Sequence, residues 1–235
     1  AALWQSTPLP RLVQQWGADY HTATGEITHI VLEDGTQVWL SSASALNVDY
    51  DQEQRRLALV TGEILIETGK DTERPFYLDT RSARLTPLGT RFSVGEQPSG
   101  ELLAVFDGAV SIQTLGDAQH ASQRQVVTAG QQAHYAADRI GELTPAEGRR
   151  EAWANGILLA ESMSLKTFAA ALSRHHRGRL EVDPAVADLT LLGAFPLNDL
   201  ERTLNMVETT LPVKVRRVMP WWIKIEAGEA SSSEE

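Results

Sequence analysis

Chemistry needs particular side chains at particular spacings, and the histidines are the first to test. They stand at His21, His29, His120, His134, His175 and His176, and no His-x-x-x-His pair offers a helical metal face. His175 and His176 are neighbours, so on a helix they would diverge by about 100° and could not share one ion. They lie in Arg174-His175-His176-Arg177-Gly178-Arg179, which reads as a basic, solvated helix end, with an acidic protein partner as the alternative. No aromatics interleave with these cations for base stacking. Carboxylate pairs such as Asp49/Asp51 and Asp71/Glu73 occur, but glycosidase roles require a measured separation across a cleft. The chain has no Gly-x-Ser-x-Gly elbow, no phosphate-cradling Gly-Lys-Ser/Thr loop and no Gly-x-Gly-x-x-Gly turn. With no cysteine, thiolate catalysis, Cys-ligated zinc and disulfides are excluded. No cofactor or metal is expected.

The 235 residues are 42% apolar and 22% charged, an ordinary globular composition that predicts one or two domains. A net charge of −10 opposes general nucleic-acid binding. Apolar runs such as Leu189–Phe195 are far short of the ~20 residues a membrane helix needs. No signal peptide or initiator Met opens the chain, so it is read as an excised fragment whose tether lies outside it.

These groups must be positioned by elements the pattern predicts. Residues 1–23, with Trp4, Pro8, Pro10 and Trp16, read as a lead-in. Residues 24–136 read as all-β, an antiparallel sandwich or jelly-roll-like domain. Leu46, Val48 and Tyr50 alternate with polar residues, as do Val38 and Leu40. Asp34-Gly35 and Asp107-Gly108 sit between apolar runs and predict type I′ hairpins. The polar stretch 137–152 reads as a linker.

From Trp153 the period changes. Leu165, Phe168, Ala169 and Leu172 make an amphipathic helix stripe, with Ser164 as N-cap and Gly178 as stop. Leu180 and Val182 follow as a strand. Leu197, Leu200 and Leu204 repeat the helix theme at an offset of 32 residues, and Val213 and Val215 repeat the strand. Residues 153–226 are therefore read as two strand–helix–strand repeats plus a closing strand, and 227–235 as a disordered tail. Trp221 and Trp222, at the start of that last strand, are expected on opposite faces. Trp39, on the polar phase of its strand, is expected to pack on the neighbouring domain.

An ordered series of blocks then resembles a known family. It comprises Thr24-Gly25-Glu26, Asp34-Gly35-Thr36-x-Val38-x-Leu40, Arg56-x-Leu-x-Leu-x-x-Gly62-Glu63, Arg74-Pro75-Phe76, Leu88-Gly89-Thr90-x-Phe92 and Val105-x-Asp107-Gly108-x-Val110. Together these look like the periplasmic FecR-type domain of transmembrane anti-sigma regulators. Trp153-x-x-Gly156-x-Leu158 and the double strand–helix–strand are similar to the C-terminal part of the same regulators, related to the secretin/TonB short N-terminal (STN) domain. Asp107 stands where the family often has Glu, and Arg174-His175-His176 replaces a commoner Asn/Ser-Arg-Tyr.

The resemblance implies a non-enzymatic role in signal transfer. The periplasmic part of a single-pass inner-membrane protein would bind the N-terminal signalling domain of a TonB-dependent outer-membrane transducer, typically one serving iron-siderophore uptake. A cytoplasmic domain outside this chain would act on an extracytoplasmic-function sigma factor, with periplasmic and intramembrane proteases as processing partners. Docking is expected by strand addition on the C-terminal subdomain. The expected contact residues are Leu191, Leu192 and Phe195, then Val213, Val215 and Arg217, and last Trp221, Trp222, Ile223 and Ile225. The competing readings are a periplasmic carbohydrate- or peptidoglycan-binding β protein, with Trp39, Trp221 and Trp222 as sugar platforms, and a glycosidase.

Overall fold

The computed structural model describes residues 17–116 and 119–228. The lead-in aromatics Trp4 and Trp16 and the tail 229–235 lie outside the described residues. The chain divides into two compact units: unit 1 takes residues up to Thr22 and Thr28–Ala146, and unit 2 takes Ala23–Ile27 and the residues from Glu147 onward.

Unit 1 is a β-sandwich. One sheet has the order β1 (Tyr20–His21), β4 (Ala45–Tyr50), β5 (Arg55–Thr61), β7 (Phe76–Asp79), β8 (Ala83–Pro87), β11 (Ala109–Thr114), β12 (Arg124–Thr128). The other runs β14 (Arg139–Ile140), β13 (Gln131–Ala136), β10 (Gly100–Asp107), β9 (Arg91–Gln97), β6 (Glu63–Glu67), β3 (Gln37–Leu40), β2 (Thr28–Val31), with β15 (Thr144–Pro145) also on β13. Inward residues of both sheets, among them Leu57, Leu78, Ile66, Phe92 and Leu103, form one buried cluster. Alternation along each strand puts these side chains on the shared face. The polar stretch after Ala136 is more than bare connection, because β14 and β15 both pair with β13.

The two Asp-Gly signals have different outcomes. Asp34-Gly35 lies in a true hairpin, β2 to β3, but not a type I′ one. The turn closes from Gly35 N–H to the Leu32 carbonyl at 2.9 Å, and within it only Gly35 has positive φ, at 81°. That is the longer-loop pattern of a turn followed by a left-handed glycine. Asp107-Gly108 is no hairpin. β10 and β11 belong to different sheets, so Gly108 turns the chain from one layer to the other. Its φ is 74°, and a Cβ there would lie 2.4 Å from the Gly89 carbonyl oxygen, which leaves room for glycine alone. Gly62-Glu63 marks a similar corner between β5 and β6, held by Ser44, whose Oγ accepts from Glu63 N–H at 3.0 Å.

Buried charge in unit 1 is fully engaged. Arg55 donates to Asp34 at 2.7 Å, with side chains only 5% and 1% exposed, and also to the carbonyls of Asp71 and Arg74. Burial works to raise the Asp34 pKa, but hydrogen bonds from Thr36 and Arg55 prevail and hold it below the usual carboxylate value. Glu101 accepts from the Thr80 hydroxyl and the Ser82 amide, and the Tyr135 hydroxyl reaches Thr80.

Unit 2 opens with a short helix, α1 (Arg149–Ala152), and then runs β16 (Ile157–Ser164), α2 (Leu165–Ser173), β17 (Arg179–Val182), β18 (Thr190–Pro196), α3 (Leu200–Thr210), β19 (Val213–Met219), β20 (Trp222–Ala227). β16 and β18 form an antiparallel pair, while β17, β20 and β19 form a mixed sheet with β17 parallel to β20. α2 packs on β16 and β17, and α3 on β18 and β19, so each helix touches both sheets. Leu165, Phe168, Ala169 and Leu172 are the buried face of α2, as their spacing predicts. Phe168 meets Phe195 edge-on at 4.7 Å.

The internal repeat is real in element order but has a different register from the one the leucines suggest. The N-caps Ser164 and Asp199 accept from Thr167 and Arg202, and they stand 35 residues apart. At that offset Ala169 and Leu172 correspond to Leu204 and Val207, all buried. β16 runs straight into α2, whereas residues 197–199 separate β18 from α3, and this three-residue connector shifts the second helix.

Candidate functional site

In a half-buried sheet the residues that can touch another molecule are those on an outer face or along an unpaired edge. Both strands of the β16–β18 pair are edges, and β17 and β19 are the edges of the three-stranded sheet. Each edge is managed differently. β16 carries a bulge between Ala160 and Met163, with Ser162 at φ 56°, which breaks its edge. On β19 the Val215 amide points away from β20 and donates to the Glu208 carboxylate at 2.6 Å, so a side chain of α3 caps that edge. On β18 the comparable contact is at the strand's end, where the Thr203 hydroxyl of α3 donates to the Pro196 carbonyl at 2.6 Å, and Leu192 in mid-strand is 74% exposed.

The expected contact residues therefore separate into two groups. Leu191, Phe195, Val213 and Ile225 are buried and belong to the core of unit 2, with Val215 and Ile223 half-buried. Leu192, Arg217 and Trp221 are exposed. Arg217 is held by an ion pair to Glu201 on α3. Trp221 and Trp222 do not take opposite faces. Trp221 sits in the turn before β20, where strand alternation does not apply, and the two rings stack at 6.4 Å and 22°. The Arg179 guanidinium lies 5.3 Å from the Trp222 ring, and the Trp222 Nε1 is buried without a partner. The Arg179 amide donates to the Trp221 carbonyl at 2.7 Å, which fixes the turn.

The histidine pair also departs from expectation. α2 ends at Ser173, well before Gly178, because Arg174 and His175 close tight three-residue turns onto the Ala171 and Leu172 carbonyls. That tightening draws His175 inside, where it is 8% exposed with Nδ1 unpartnered. Burial lowers its pKa to about 4, with Arg174 adding to the effect. His176 is half-buried and also shifted down by burial. The segment is thus not a solvated helix end at its centre, although Arg174, Arg177 and Arg179 remain exposed.

Sequence reading missed a second basic segment. β19 carries Lys214, Arg216 and Arg217 within seven residues of an acidic chain. The signal was the composition of the Val213–Met219 strand itself.

Two sites in unit 1 bear on the competing readings. Trp39 is engaged by residues of its own unit. It stacks on His29 at 4.4 Å and lies under Arg91 at 5.3 Å, so neighbours on its own sheet occupy the ring. A cleft of about 920 Å³, lined among others by Glu67, Lys70, Asp71, Leu88 and Asp107, does hold carboxylates. A general acid needs a pKa raised toward neutrality. Asp71 moves the other way, to about 2, through hydrogen bonds from Arg74, and Glu67 is paired with Arg91 at 2.8 Å. Among the described residues no group of His, Asp and Glu is arranged to hold a metal ion. No helix there is long and apolar enough to cross a membrane.

Residues 18–111 match the family described as FecR protein, a span that runs from β1 into β11. Two crystal structures of a protein from Parabacteroides distasonis ATCC 8503, described as a candidate anti-sigma factor, are similar to the chain. One, at 1.65 Å, has a TM-score of 0.67 and 21% identity, covering 88% of this chain and 98% of that one. The other, at 2.50 Å, has a TM-score of 0.66 and 21% identity, covering 88% and 97%. At that identity the likeness shows a shared fold across both units. No curated protein sequence matches the chain.

Proposed function

We propose that the chain is the periplasmic regulatory region of a transmembrane anti-sigma regulator. In this reading unit 1 is its FecR domain and unit 2 an STN-like docking subdomain. The single observation that carries the regulatory role is the FecR match over residues 18–111. The likeness in fold of 88% of the chain to a candidate anti-sigma factor supports it. Unit 2 receives the N-terminal signalling domain of a TonB-dependent outer-membrane transducer of iron-siderophore uptake. Processing by periplasmic and intramembrane proteases then changes the state of a sigma factor bound by a cytoplasmic domain. Nothing in this mechanism requires bond-making by the chain itself.

Strand addition fits the open edge of β18 better than that of β19, since an incoming strand there displaces no carboxylate. Calorimetry of the chain with its transducer's signalling domain tests the reading. Saturable heat with wild type, and affinity reduced about tenfold by Leu192→Asp, is the expected result. No heat at any concentration would overturn it.

A further inference from the structure

The connection between β1 and β2 does not stay with the strands it joins. Ala23–Ile27 belongs to unit 2, although Thr22 before it and Thr28 after it belong to unit 1. The chain therefore passes from one unit to the other after Thr22, after Ile27 and again after Ala146. The base of the loop is pinched within unit 1. Thr22 is buried, its amide donates to the Ser44 carbonyl at 2.9 Å, and its hydroxyl donates to the Ser41 carbonyl while accepting from the Ser44 amide at 2.9 Å. Thr28 pairs with Leu40, the residue before Ser41. The loop itself is a braced turn. The Ala23 amide donates to the Glu26 carboxylate at 2.9 Å, and the Glu26 amide donates to the Ala23 carbonyl at 3.1 Å.

The tip of the turn is Gly25, and within unit 2 it lies against the end of α2. Its φ is 86°, and a Cβ there would stand 2.7 Å from the His175 carbonyl oxygen. Any side chain at this position is strained and meets backbone, which cannot swing aside. His175 is where α2 closes, since its amide donates to the Leu172 carbonyl at 3.0 Å, and Leu172 is on the buried face of that helix. Gly25 thus rests on the helix that carries the core of unit 2. The other end of the loop feeds a weak element. β1 is two residues long, lies at the edge of its sheet, and pairs with β4 through Tyr20 to Leu46 and His21 to Ala45. An edge strand of that length has little local stability of its own. β12, the opposite edge of the same sheet, is paired over five residues.

We propose that Ala23–Ile27 is a clip through which unit 2 sets whether β1 stays on its sheet. With α2 in place, β1 is held at both ends. At its start the Asp19 amide donates to the Asn47 side chain at 3.1 Å, and the Asp19 carboxylate accepts from the Val48 amide at 2.9 Å. At its finish stands Thr22, joined directly to the clip. When the end of α2 shifts, the turn moves as one piece, because Glu26 braces it, and the displacement reaches the Thr22 bonds to Ser41 and Ser44. In the function proposed above, a partner docked on unit 2 is what shifts α2. That use of the clip rests on that reading, whereas the coupling of α2 to β1 is a property of this chain alone.

The test is amide hydrogen exchange on the full chain with no partner present, read over residues 19–22, with β12 as the control edge of the same sheet. Leu172→Ala loosens α2 from inside the core of unit 2, and Ser164→Ala, which removes the N-cap of the same helix, disturbs it less. The expected result is faster exchange at β1, about tenfold for Leu172→Ala and roughly threefold for Ser164→Ala, with β12 unchanged. Gly25→Val unseats the tip. In that background β1 already exchanges fast, and Leu172→Ala adds nothing further, as two changes on one route must. Exchange at β1 that ignores both α2 variants would overturn the proposal. So would an effect of Leu172→Ala that persists in full beside Gly25→Val, or equal acceleration at β12. No transducer is involved, so failure here leaves the docking reading standing, and absence of docking leaves the clip standing.

Discussion

The two units differ in how they hold buried polar groups: unit 1 engages its buried ions and leaves the hydroxyls of Tyr50 and Thr90 without partners, whereas in unit 2 the unpartnered groups are mostly imidazole and indole nitrogens. In unit 1 the buried guanidinium of Arg55 has a carboxylate and two carbonyls, and buried Glu101 has three donors. In unit 2, Trp153 Nε1, His175 Nδ1, His176 Nε2 and Trp222 Nε1 are buried without partners. Its largest exposed apolar side chains, Leu192 and Trp221, lie on or next to strands at the rim of small sheets. A unit with unpartnered ring nitrogens and an exposed tryptophan beside a sheet rim gains stability when a partner covers them. Under the proposed function, recognition belongs to the strand–helix unit, and its unpartnered ring nitrogens support that proposal.

Mutations can sharpen that contrast, starting from the largest expected effect. Phe168→Ala empties the centre of unit 2, where the ring is fully buried against Phe195. It should cost about 4 kcal/mol in urea unfolding and should abolish partner binding. Arg55→Met leaves Asp34 buried without its cation and should cost roughly 3 kcal/mol, read from unfolding of unit 1, with partner binding unchanged. If Arg55→Met weakened binding as much as Phe168→Ala, the division of labour would be wrong.

Acid provides the third test. Folding lowers the His175 pKa from 6.5 to about 4, so the unfolded chain binds its proton first as pH falls. Its neutral burial is free of cost above pH ~6.5, and stability is lost between there and pH ~4, by at most on the order of 3 kcal/mol. Asp34 and Asp71, whose pKa values are depressed, lose their contributions only at more acid pH. Unit 2 should therefore soften before unit 1 between pH 6.5 and 4, as seen by tryptophan-detected melting. His175→Phe should abolish that early loss. The smallest effect is at a cap: Asp199→Ala removes the acceptor for the Arg202 amide and should cost about 1 kcal/mol.

What could be read without coordinates follows the range of the interactions concerned. The α2 stripe and its Ser164 cap depend on residues three and four apart, and the structure has both. The Asp34-Gly35 hairpin also joins adjacent strands. Asp107-Gly108 carries the same local turn signal, yet whether it joins paired strands or two layers is decided by the neighbours of each strand, β9 and β13 in one sheet and β8 and β12 in the other, which the two turn residues do not encode. The leucine offset of 32 failed because a three-residue connector has no hydrophobic signature. Candidate site residues separated for the same reason. A strand pattern tells inward from outward, as it does for Ile223 and Ile225, but it says nothing of Glu208 reaching over from α3 to cap Val215. The fate of Trp221 and His175 rested on where a strand begins and a helix ends, the least determined features of a sequence.

Amide hydrogen exchange on the full chain, alone and saturated with its transducer's signalling domain, tests the central claim most directly. The account predicts new protection in unit 2, strongest along Thr190–Pro196, with the sandwich strands beyond β1 unchanged. Protection confined to unit 1, or a complex that leaves β18 exchanging as freely as before, would contradict it.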